Sequence, residues 1–188
     1  KRVVSATVGG LHEHNVESII GKTTKSKTDL VLELDDGSTV NISIKKSRGG
    51  QVYLIGVDAF IAGFEAHFGE EIPNNVKDML HLYFYGHPNI EQLLKDKVLV
   101  KGLSDNVVRY QARKKRLTWN TLIKYSESDA NKLMQWIKDN IDKIADFCFS
   151  KGLAKDSTEW ADYVWYINLL GEDNVDTIFS IEDIKSSV

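Results

Sequence analysis

The segment KTDLVLELDDGSTVNISIKK, residues 27–46, carries the clearest secondary-structure pattern in the 188-residue chain. Its apolar residues alternate with other residues on both sides of a turn-forming Asp-Asp-Gly-Ser run at residues 35–38. The alternating positions are Leu30, Leu32 and Leu34 before the turn, and Val40, Ile42 and Ile44 after it. Alternation at period two around such a turn predicts a β-hairpin with one buried face.

The register of this hairpin follows from the rule that cross-strand partners share a face. The apolar pattern predicts Leu30, Leu32 and Leu34 opposite Ile44, Ile42 and Val40, respectively. That pairing needs an odd-length loop, such as the three residues 36–38. Asp29 then lies directly opposite Lys45, and Ser43 lies two residues away on the same face as Lys45. A carboxylate, an ammonium and a hydroxyl are therefore expected to converge at one end of the hairpin.

Such a cluster has the groups needed to hydrolyse a phosphodiester. The carboxylate can bind a divalent metal, which neutralises the scissile phosphate and lowers the pKa of a bound water. The lysine then stabilises charge in the transition state. Mg²⁺ prefers six oxygen ligands, so a second acidic residue is expected in its shell. The alternative is an ordinary surface ion pair, which is worth about 0–1 kcal/mol and has no functional meaning.

The segments in and around the hairpin resemble the type II restriction endonucleases of the PD-(D/E)xK group. The resemblance is carried by KTDLV at residues 27–31 and ISIKKS at residues 42–47. A polar, glycine-rich loop, RGGQ at residues 48–51, and a helix after Val57 follow in the order typical of these enzymes. FCFSKGLA at residues 147–154 and ADYVWY at residues 161–166 also resemble the C-terminal part of such enzymes.

This resemblance implies an α/β fold, in which a mixed β-sheet core is flanked by helices. It implies that Asp29 is a metal ligand and that Lys45 is the catalytic lysine. The expected activity is Mg²⁺-dependent, site-specific cleavage of double-stranded DNA by a hydrolase of a restriction-modification system. A homodimer is expected as well, because a palindromic site matches two-fold symmetry.

The chain departs from the group's pattern at two positions. Thr28 stands where the name-giving proline is found, which is common in the group. Ser43 stands where Asp or Glu usually precedes the lysine by two residues, and a neutral serine is a poor Mg²⁺ ligand. Ser43 is therefore expected to act in the catalytic cluster without completing the metal shell.

Some enzymes of the group recruit the missing acid from the following helix. Asp58 and Glu65 are the candidates here, seven residues apart on one helix face, and Glu65 is favoured for its longer side chain. Glu17 is a further candidate metal ligand, on a helix predicted before the hairpin. If none of these acids completes the shell, the alternative is a catalytically degenerate nuclease fold that only binds DNA.

The net charge of −3 requires that any DNA contact come from local basic clusters. One cluster flanks the predicted site and consists of Lys22, Lys25, Lys27, Lys46 and Arg48, with Ser47 and Gln51 as polar neighbours. The other is a basic run that contains Arg109, Arg113, Lys114, Lys115 and Arg116. Lysine and arginine bind phosphates, and arginine can also contact base edges. A solvated basic face is the alternative for the second run.

Periodicity predicts the remaining elements. Helices are expected over residues 14–20, 57–68, 74–85 and 128–151. Strands are expected over residues 121–125, 163–170 and 177–181. The predicted organisation is one domain over residues 1–188. Its sheet packs against the helices near residues 14–20 and 57–68, and a largely helical insertion near residues 72–155 carries DNA contacts. The last strands return to the sheet.

The overall composition is that of an ordinary globular protein, with 42% hydrophobic and 27% charged residues. No apolar run is long enough to span a membrane. Cys148 is the only cysteine, which excludes disulfides within one chain and is typical of a cytoplasmic protein. It lies between two phenylalanines and is expected to be buried and inert. A last alternative is a protein-interaction domain that has no affinity for nucleic acid.

Overall fold

The main feature of the fold is a five-stranded sheet in the order β1-β4-β5-β6-β7. The computed structural model describes residues 1–8, 15–47, 55–87, 89, 92, 117–168 and 175–187. The sheet strands are β1 (Val3–Val8), β4 (Leu30–Leu34), β5 (Thr39–Ser47), β6 (Tyr163–Asn168) and β7 (Val175–Ser180). Two short strands, β2 (Asn15–Glu17) and β3 (Thr23–Lys25), pair with each other in a separate sheet.

The described helices lie mostly between the hairpin and the last two strands. They are α1 (Val57–Phe68), α2 (Asn74–Phe84), α3 (Trp119–Tyr125), α4 (Glu127–Asp139), α5 (Ile141–Ala145) and α6 (Ile181–Ser186). A π-helical turn (Asp146–Lys151) and a 3₁₀ turn (Ser157–Glu159) precede β6. None of the helices in these ranges combines the length and the apolar character that crossing a membrane would need.

The sheet is mixed. β4 pairs antiparallel with both β1 and β5, and β7 pairs antiparallel with β6, whereas β5 and β6 are parallel. Parallel neighbours require a long crossover, and here more than a hundred residues separate Ser47 from Tyr163. The predicted α/β class, with a mixed sheet and flanking helices, is confirmed.

The chain divides into two compact units, Lys1–Glu70 with Ile141–Val188 and Glu71–Asn140. The first unit contains the sheets and α1, whose Phe64 is buried and lies 6.4 Å from the ring of buried Phe147. The second contains α2, α3 and α4. Its buried apolar residues include Val76, Met79, Leu80, Leu122 and Leu133.

α1 begins and ends as its sequence predicts. It ends at Phe68, and Gly69 then adopts a left-handed conformation with φ 65°, so that its N–H donates to the carbonyl of Glu65. Glycine is suited to this position because it lacks the Cβ that disfavours positive φ. The predicted helix over residues 74–85 is confirmed as α2, and the predicted hairpin and last two strands are confirmed as well.

The prediction of a helix at residues 14–20 is wrong. Asn15–Glu17 is a strand paired with Thr23–Lys25, and the intervening turn contains Gly21 at φ 76°. Ser18 forms an isolated β-bridge with Ala154. Val16, Ile19 and Ile20 have the spacing of an apolar helical stripe, although the segment forms a strand and a turn. Pairing with distant residues, which the stripe does not reveal, therefore decided the structure.

β1 was missed because it lacks the alternation of a half-buried strand. All six of its residues are exposed, and Val4 retains 58% of its accessible surface. It is an edge strand, held by its backbone pairing with β4. Sequence periodicity reports side-chain burial, so a strand defined by backbone pairing alone leaves no such signal.

Two predictions between the hairpin and β6 are also corrected. Residues 121–125 belong to helix α3, whose N-cap Thr118 accepts a hydrogen bond from the N–H of Thr121, instead of forming a strand. The helix expected over residues 128–151 is broken near Asn140 into α4, α5 and the π-helical turn. Its apolar repeat continues across the break, because spacing in sequence does not reveal where a helix is interrupted.

Candidate active site

The β4–β5 hairpin has the predicted faces but a different register. Leu30 pairs with Ile42 and Leu32 with Val40, two residues away from the predicted partners. The loop has three residues, as expected, but they are residues 35–37. The N–H of Leu34 donates to the carbonyl of Ser38, and the Asp36 carboxylate accepts from the N–H of Ser38. These turn contacts set the register, and a shift of two leaves every side chain on its predicted face.

The shift brings Asp29 beside Ser43 and Ile44, so the predicted position directly opposite Lys45 is wrong. Oδ2 of Asp29 accepts a hydrogen bond from the N–H of Ile44 at 2.6 Å and one from Oγ of Ser43 at 3.3 Å. The N–H of Asp29 donates to the carbonyl of Ile42. Within the described residues, the second carboxylate oxygen has no hydrogen bond. Asp29 is therefore held by one oxygen while the other is available to a ligand.

Ser43 orients this carboxylate. It is completely buried, and its hydroxyl donates to Asp29. A buried hydroxyl generally needs a hydrogen-bond partner, and a carboxylate is a strong one. The buried hydroxyl of Ser43 thus holds the Asp29 carboxylate in place, which gives a chemical reason for a serine at this position.

Lys45 shares a face of β5 with Ser43, because side chains alternate along a strand. It is half-buried, and it forms no ion pair with any carboxylate of the residues that the structure describes. The Asp29–Lys45 surface ion pair considered above is therefore not formed. Among the described residues, an ammonium without an ion pair suits a ligand with negatively charged oxygens, and a carboxylate oxygen without a hydrogen bond suits a cation.

Lys27 lies inside the protein near the same groups. Its ammonium donates to the carbonyl of Cys148 at 2.9 Å, and its aliphatic chain crosses Gly152 so closely that a Cβ there would lie 2.3 Å from Cε of Lys27. Burial, and then the positive charge of Lys45, lower the pKa of Lys27 to about 8. Asp29 opposes this shift. Lys27 therefore adds a second half-buried ammonium near Lys45 and Asp29.

Cys148 is buried, as predicted, and burial raises the pKa of its thiol to about 11. Its carbonyl lies near the end of the π-helical turn, where backbone carbonyls lack helical partners. Lys27 satisfies that carbonyl with a charged donor. The contact joins the segment before β4 to the turn before β6.

Further bonds anchor the segment that leads into Asp29. The N–H of Lys27 donates to the carbonyl of Glu159 at 3.1 Å, and the hydroxyl of buried Thr28 donates to the carbonyl of Trp160. The N–H of Thr28 donates to Oγ of Ser26 at 3.0 Å. A proline at position 28 would lack that donor. Threonine therefore fits the local hydrogen bonding.

The candidate acids do not gather around Asp29 as a ready-made metal site. Glu17 is exposed on β2 and pairs with Lys155 at 2.6 Å, Glu65 is half-buried on α1, and Asp58 is exposed in the first turn of α1. In the described parts of the chain, no group of three or more His, Cys, Asp or Glu side chains is placed to hold a metal ion. Asp29 is thus the carboxylate that the geometry singles out.

The predicted DNA contacts are only partly visible. Lys22, Lys25 and Lys46 are exposed, and Lys46 lies on the face of β5 opposite to Lys45. Ser47 is the last residue of β5. Several predicted contacts lie outside the described residues, namely Arg48, Gln51, Arg109, Arg113, Lys114, Lys115 and Arg116. DNA binding by all of these residues stays a prediction.

Sequence reasoning missed the neighbours that β6 brings to the site. The parallel register places Val164 beside Ser43 and Tyr166 beside Lys45. These partners are about 120 positions apart in sequence, so alternation within either strand does not identify them. These neighbours could have been found only by predicting both strands together with their parallel register.

No protein-family model matches the chain, and no curated protein is significantly similar to it in sequence. Among solved structures, the chain is similar to the restriction endonuclease MspI in complex with its cognate DNA, with a TM-score of 0.52 and 14% sequence identity. The match covers 98% of this chain and 58% of that chain, so the protein spans less than two thirds of the enzyme's length. At this identity the likeness concerns the fold, and the fold of this chain is that of a restriction endonuclease.

Proposed function

We propose that this protein is a Mg²⁺-dependent, site-specific DNA endonuclease of the restriction type, in the PD-(D/E)xK group. The observation that carries the proposal is the Asp29 carboxylate held by Ser43 and by the N–H of Ile44. Lys45 lies two residues from Ser43 on the same face of β5, and it has no ion pair among the described residues. The fold supports it, because the similar enzyme MspI was solved with its cognate DNA bound. Neither observation alone distinguishes an enzyme from a DNA-binding protein, so activity is the decisive test.

The residues present fit a magnesium ion that substrate and water would complete. Mg²⁺ commonly binds through one or two carboxylates together with substrate phosphates, and it retains several waters. The oxygen of Asp29 that lacks a hydrogen bond would supply a protein ligand, and Glu65 or Glu17 would supply a second after rearrangement on DNA. When bound, the ion lowers the pKa of a water and neutralises the scissile phosphate.

The chain's own residues would divide the remaining work. Ser43 and the N–H of Ile44 hold the Asp29 carboxylate in one orientation before DNA arrives, which avoids the cost of ordering it later. Lys45 would donate a hydrogen bond to the phosphate and stabilise the charge that develops on its oxygens. Lys27 would keep the segment before Asp29 in place through its bond to the Cys148 carbonyl.

Double-stranded DNA is the proposed substrate, and a homodimer the proposed active form. The flanking basic residues and the run at residues 109–116 would bind the backbone. Two subunits related by two-fold symmetry would each cut one strand of a palindromic site. Sedimentation of the protein, alone and with a cognate duplex, would test this stoichiometry.

The central experiment compares Lys45→Met with wild type on long DNA of mixed sequence, with Mg²⁺ or with EDTA. Methionine keeps most of the side-chain volume and removes the ammonium. Discrete cleavage products are expected for wild type with Mg²⁺ alone, and the variant should lose at least about 100-fold in rate, as expected for a transition-state electrostatic contact. Lys132→Met, which removes an exposed lysine from α4, is the matched control and should cleave normally.

A second candidate is a catalytically degenerate nuclease fold that binds DNA without cutting it. Two observations favour it: Ser43 is neutral at the usual acid position, and the described residues contain no group of three or more His, Cys, Asp or Glu placed to hold a metal ion. In that case DNA of all sequences would stay intact with Mg²⁺, while binding would be tight and salt-dependent. Absence of both cleavage and binding would instead favour the protein-interaction domain.

A further inference from the structure

The neighbouring strand β6 gives the site a rim. In the parallel β5–β6 register, Ser43 is beside Val164 and Lys45 is beside Tyr166. Paired residues of neighbouring strands share a face, with the two strands about 4.8 Å apart. Ser43 and Val164 are exposed by only 0% and 4%, whereas Lys45 and Tyr166 are both half-buried. The first pair therefore forms the floor of the site, and the second pair stands at its edge.

The hydroxyl of Tyr166 is available for binding. Within the described part of the chain it makes no hydrogen bond, although the adjacent Trp165, on the other face of β6, donates its indole N–H to Asp176. Tyrosines generally bury the ring while the hydroxyl finds a polar partner. Tyr166 thus carries a hydrogen-bond donor at the position of β6 that pairs with Lys45, on the same face of the sheet.

We propose that Tyr166 is a substrate-positioning residue whose hydroxyl donates a hydrogen bond to the DNA backbone, at the phosphate that Lys45 contacts or the one next to it. This inference rests on the proposed function. A phosphate is the favoured partner because Lys45 draws an anion to this edge, and tyrosine hydroxyls are common donors to DNA phosphates. The contact fixes the position of the strand and carries no sequence information.

The test uses Tyr166→Phe, which removes the hydroxyl alone, and Tyr163→Phe as its control. Tyr163 is in the same strand but three residues earlier, so it lies on the other face of the sheet. Equilibrium binding of a labelled mixed-sequence duplex is measured in EDTA, and single-turnover cleavage is measured with Mg²⁺. Binding by Tyr166→Phe should weaken about tenfold or more, as expected for a hydrogen bond from a neutral donor to a charged acceptor, with cleavage slowed at least as much.

The salt dependence separates this contact from a charged one. Tyrosine carries no charge, so the slope of the logarithm of the binding constant against the logarithm of salt concentration should be the same for Tyr166→Phe and wild type. Lys45→Met should make that negative slope shallower by about 0.9. Urea unfolding of the two phenylalanine variants checks that both fold. If Tyr166 had a purely structural role, Tyr166→Phe would lower the free energy of unfolding and would leave DNA binding by the folded protein unchanged.

The possible failures are distinguishable. If wild type binds DNA and Tyr166→Phe binds and cuts as wild type does, the role of Tyr166 is refuted while the proposed function stands. Equal losses for Tyr163→Phe and Tyr166→Phe would also refute it, because the face of the strand would then not matter. If wild type fails to bind DNA at all, the proposed function fails, and the role of Tyr166 fails with it.

Discussion

At the residue scale, Ser43 stands where the resemblance to the PD-(D/E)xK group predicts a carboxylate, and its hydroxyl has a hydrogen-bond partner. The hydroxyl donates to Asp29 from a fully buried position. Two carboxylates there would repel each other unless a cation lay between them. Serine therefore permits a folded site without a metal ion, and in the proposed function Asp29 would bind the ion with help from the substrate.

This argument predicts the behaviour of Ser43→Asp. Without a divalent ion, its free energy of unfolding should fall, because a buried carboxylate beside Asp29 loses hydration and meets a like charge. Mg²⁺ at ten times its dissociation constant should restore about 1.4 kcal/mol. Urea unfolding with Mg²⁺ or EDTA measures both effects, independently of any cleavage.

Ser18→Asp is the matched control, because Ser18 is also a buried serine, 2% exposed, but belongs to the turn after β2. It should be destabilised by the buried carboxylate and should gain nothing from Mg²⁺. Equal recovery of both variants, or of neither, would contradict a metal position at Asp29.

At the element scale, α1 packs so closely against the segment before β6 that one position has no room for a side chain. A Cβ on Gly63 would lie 2.5 Å from Leu153 and 2.8 Å from the ring of Phe147. Both contacts involve side chains, but Phe147 is fully buried among other aromatic rings. Movement there would disturb the core of the first unit.

In Gly63→Ala, steric overpacking of the core is expected to lower the free energy of unfolding by about 1–3 kcal/mol. Helix propensity works in the opposite direction and favours alanine by about 1 kcal/mol. The net sign in urea unfolding therefore tests the packing. A stabilised variant would mean that α1 does not meet Phe147 as described.

Ala66→Gly, at an exposed position of the same helix, measures the propensity effect alone. It should cost about 1 kcal/mol, which calibrates the comparison. The loss of unfolding free energy in Gly63→Ala, added to the loss in Ala66→Gly, gives the steric cost of a side chain at Gly63.

At the scale of the whole molecule, a net charge of −3 means that DNA affinity must come from local clusters of positive charge. Each lysine or arginine that contacts a phosphate adds about 0.9 to the slope of log K against log salt. Replacing Arg113, Lys114 and Arg116 by alanine should therefore make the negative slope shallower by about 2.7. Duplex binding across a series of salt concentrations measures it.

A control variant that replaces Lys132, Lys138 and Lys185 by alanine changes the net charge equally. Lys132 and Lys185 form ion pairs with Asp129 and Glu182, and Lys138 is exposed on α4. Its slope should match wild type. An equal reduction in both triple variants would show that overall charge, and not the basic run, governs binding.

The sequence by itself determined the hairpin with its faces, helices α1 and α2, and the last two strands, and it singled out Asp29, Ser43 and Lys45 as candidates. These features depend on local turns and on the periodicity of buried side chains, which a single sequence displays. Tertiary structure decided the register of the hairpin, the strand at residues 15–17, the edge strand β1, and the approach of Lys27 and Tyr166 to the site. Each of these depends on backbone pairing or on contacts between distant segments. Such contacts are decided by the free energy of the whole fold, and side-chain periodicity along the sequence does not encode them.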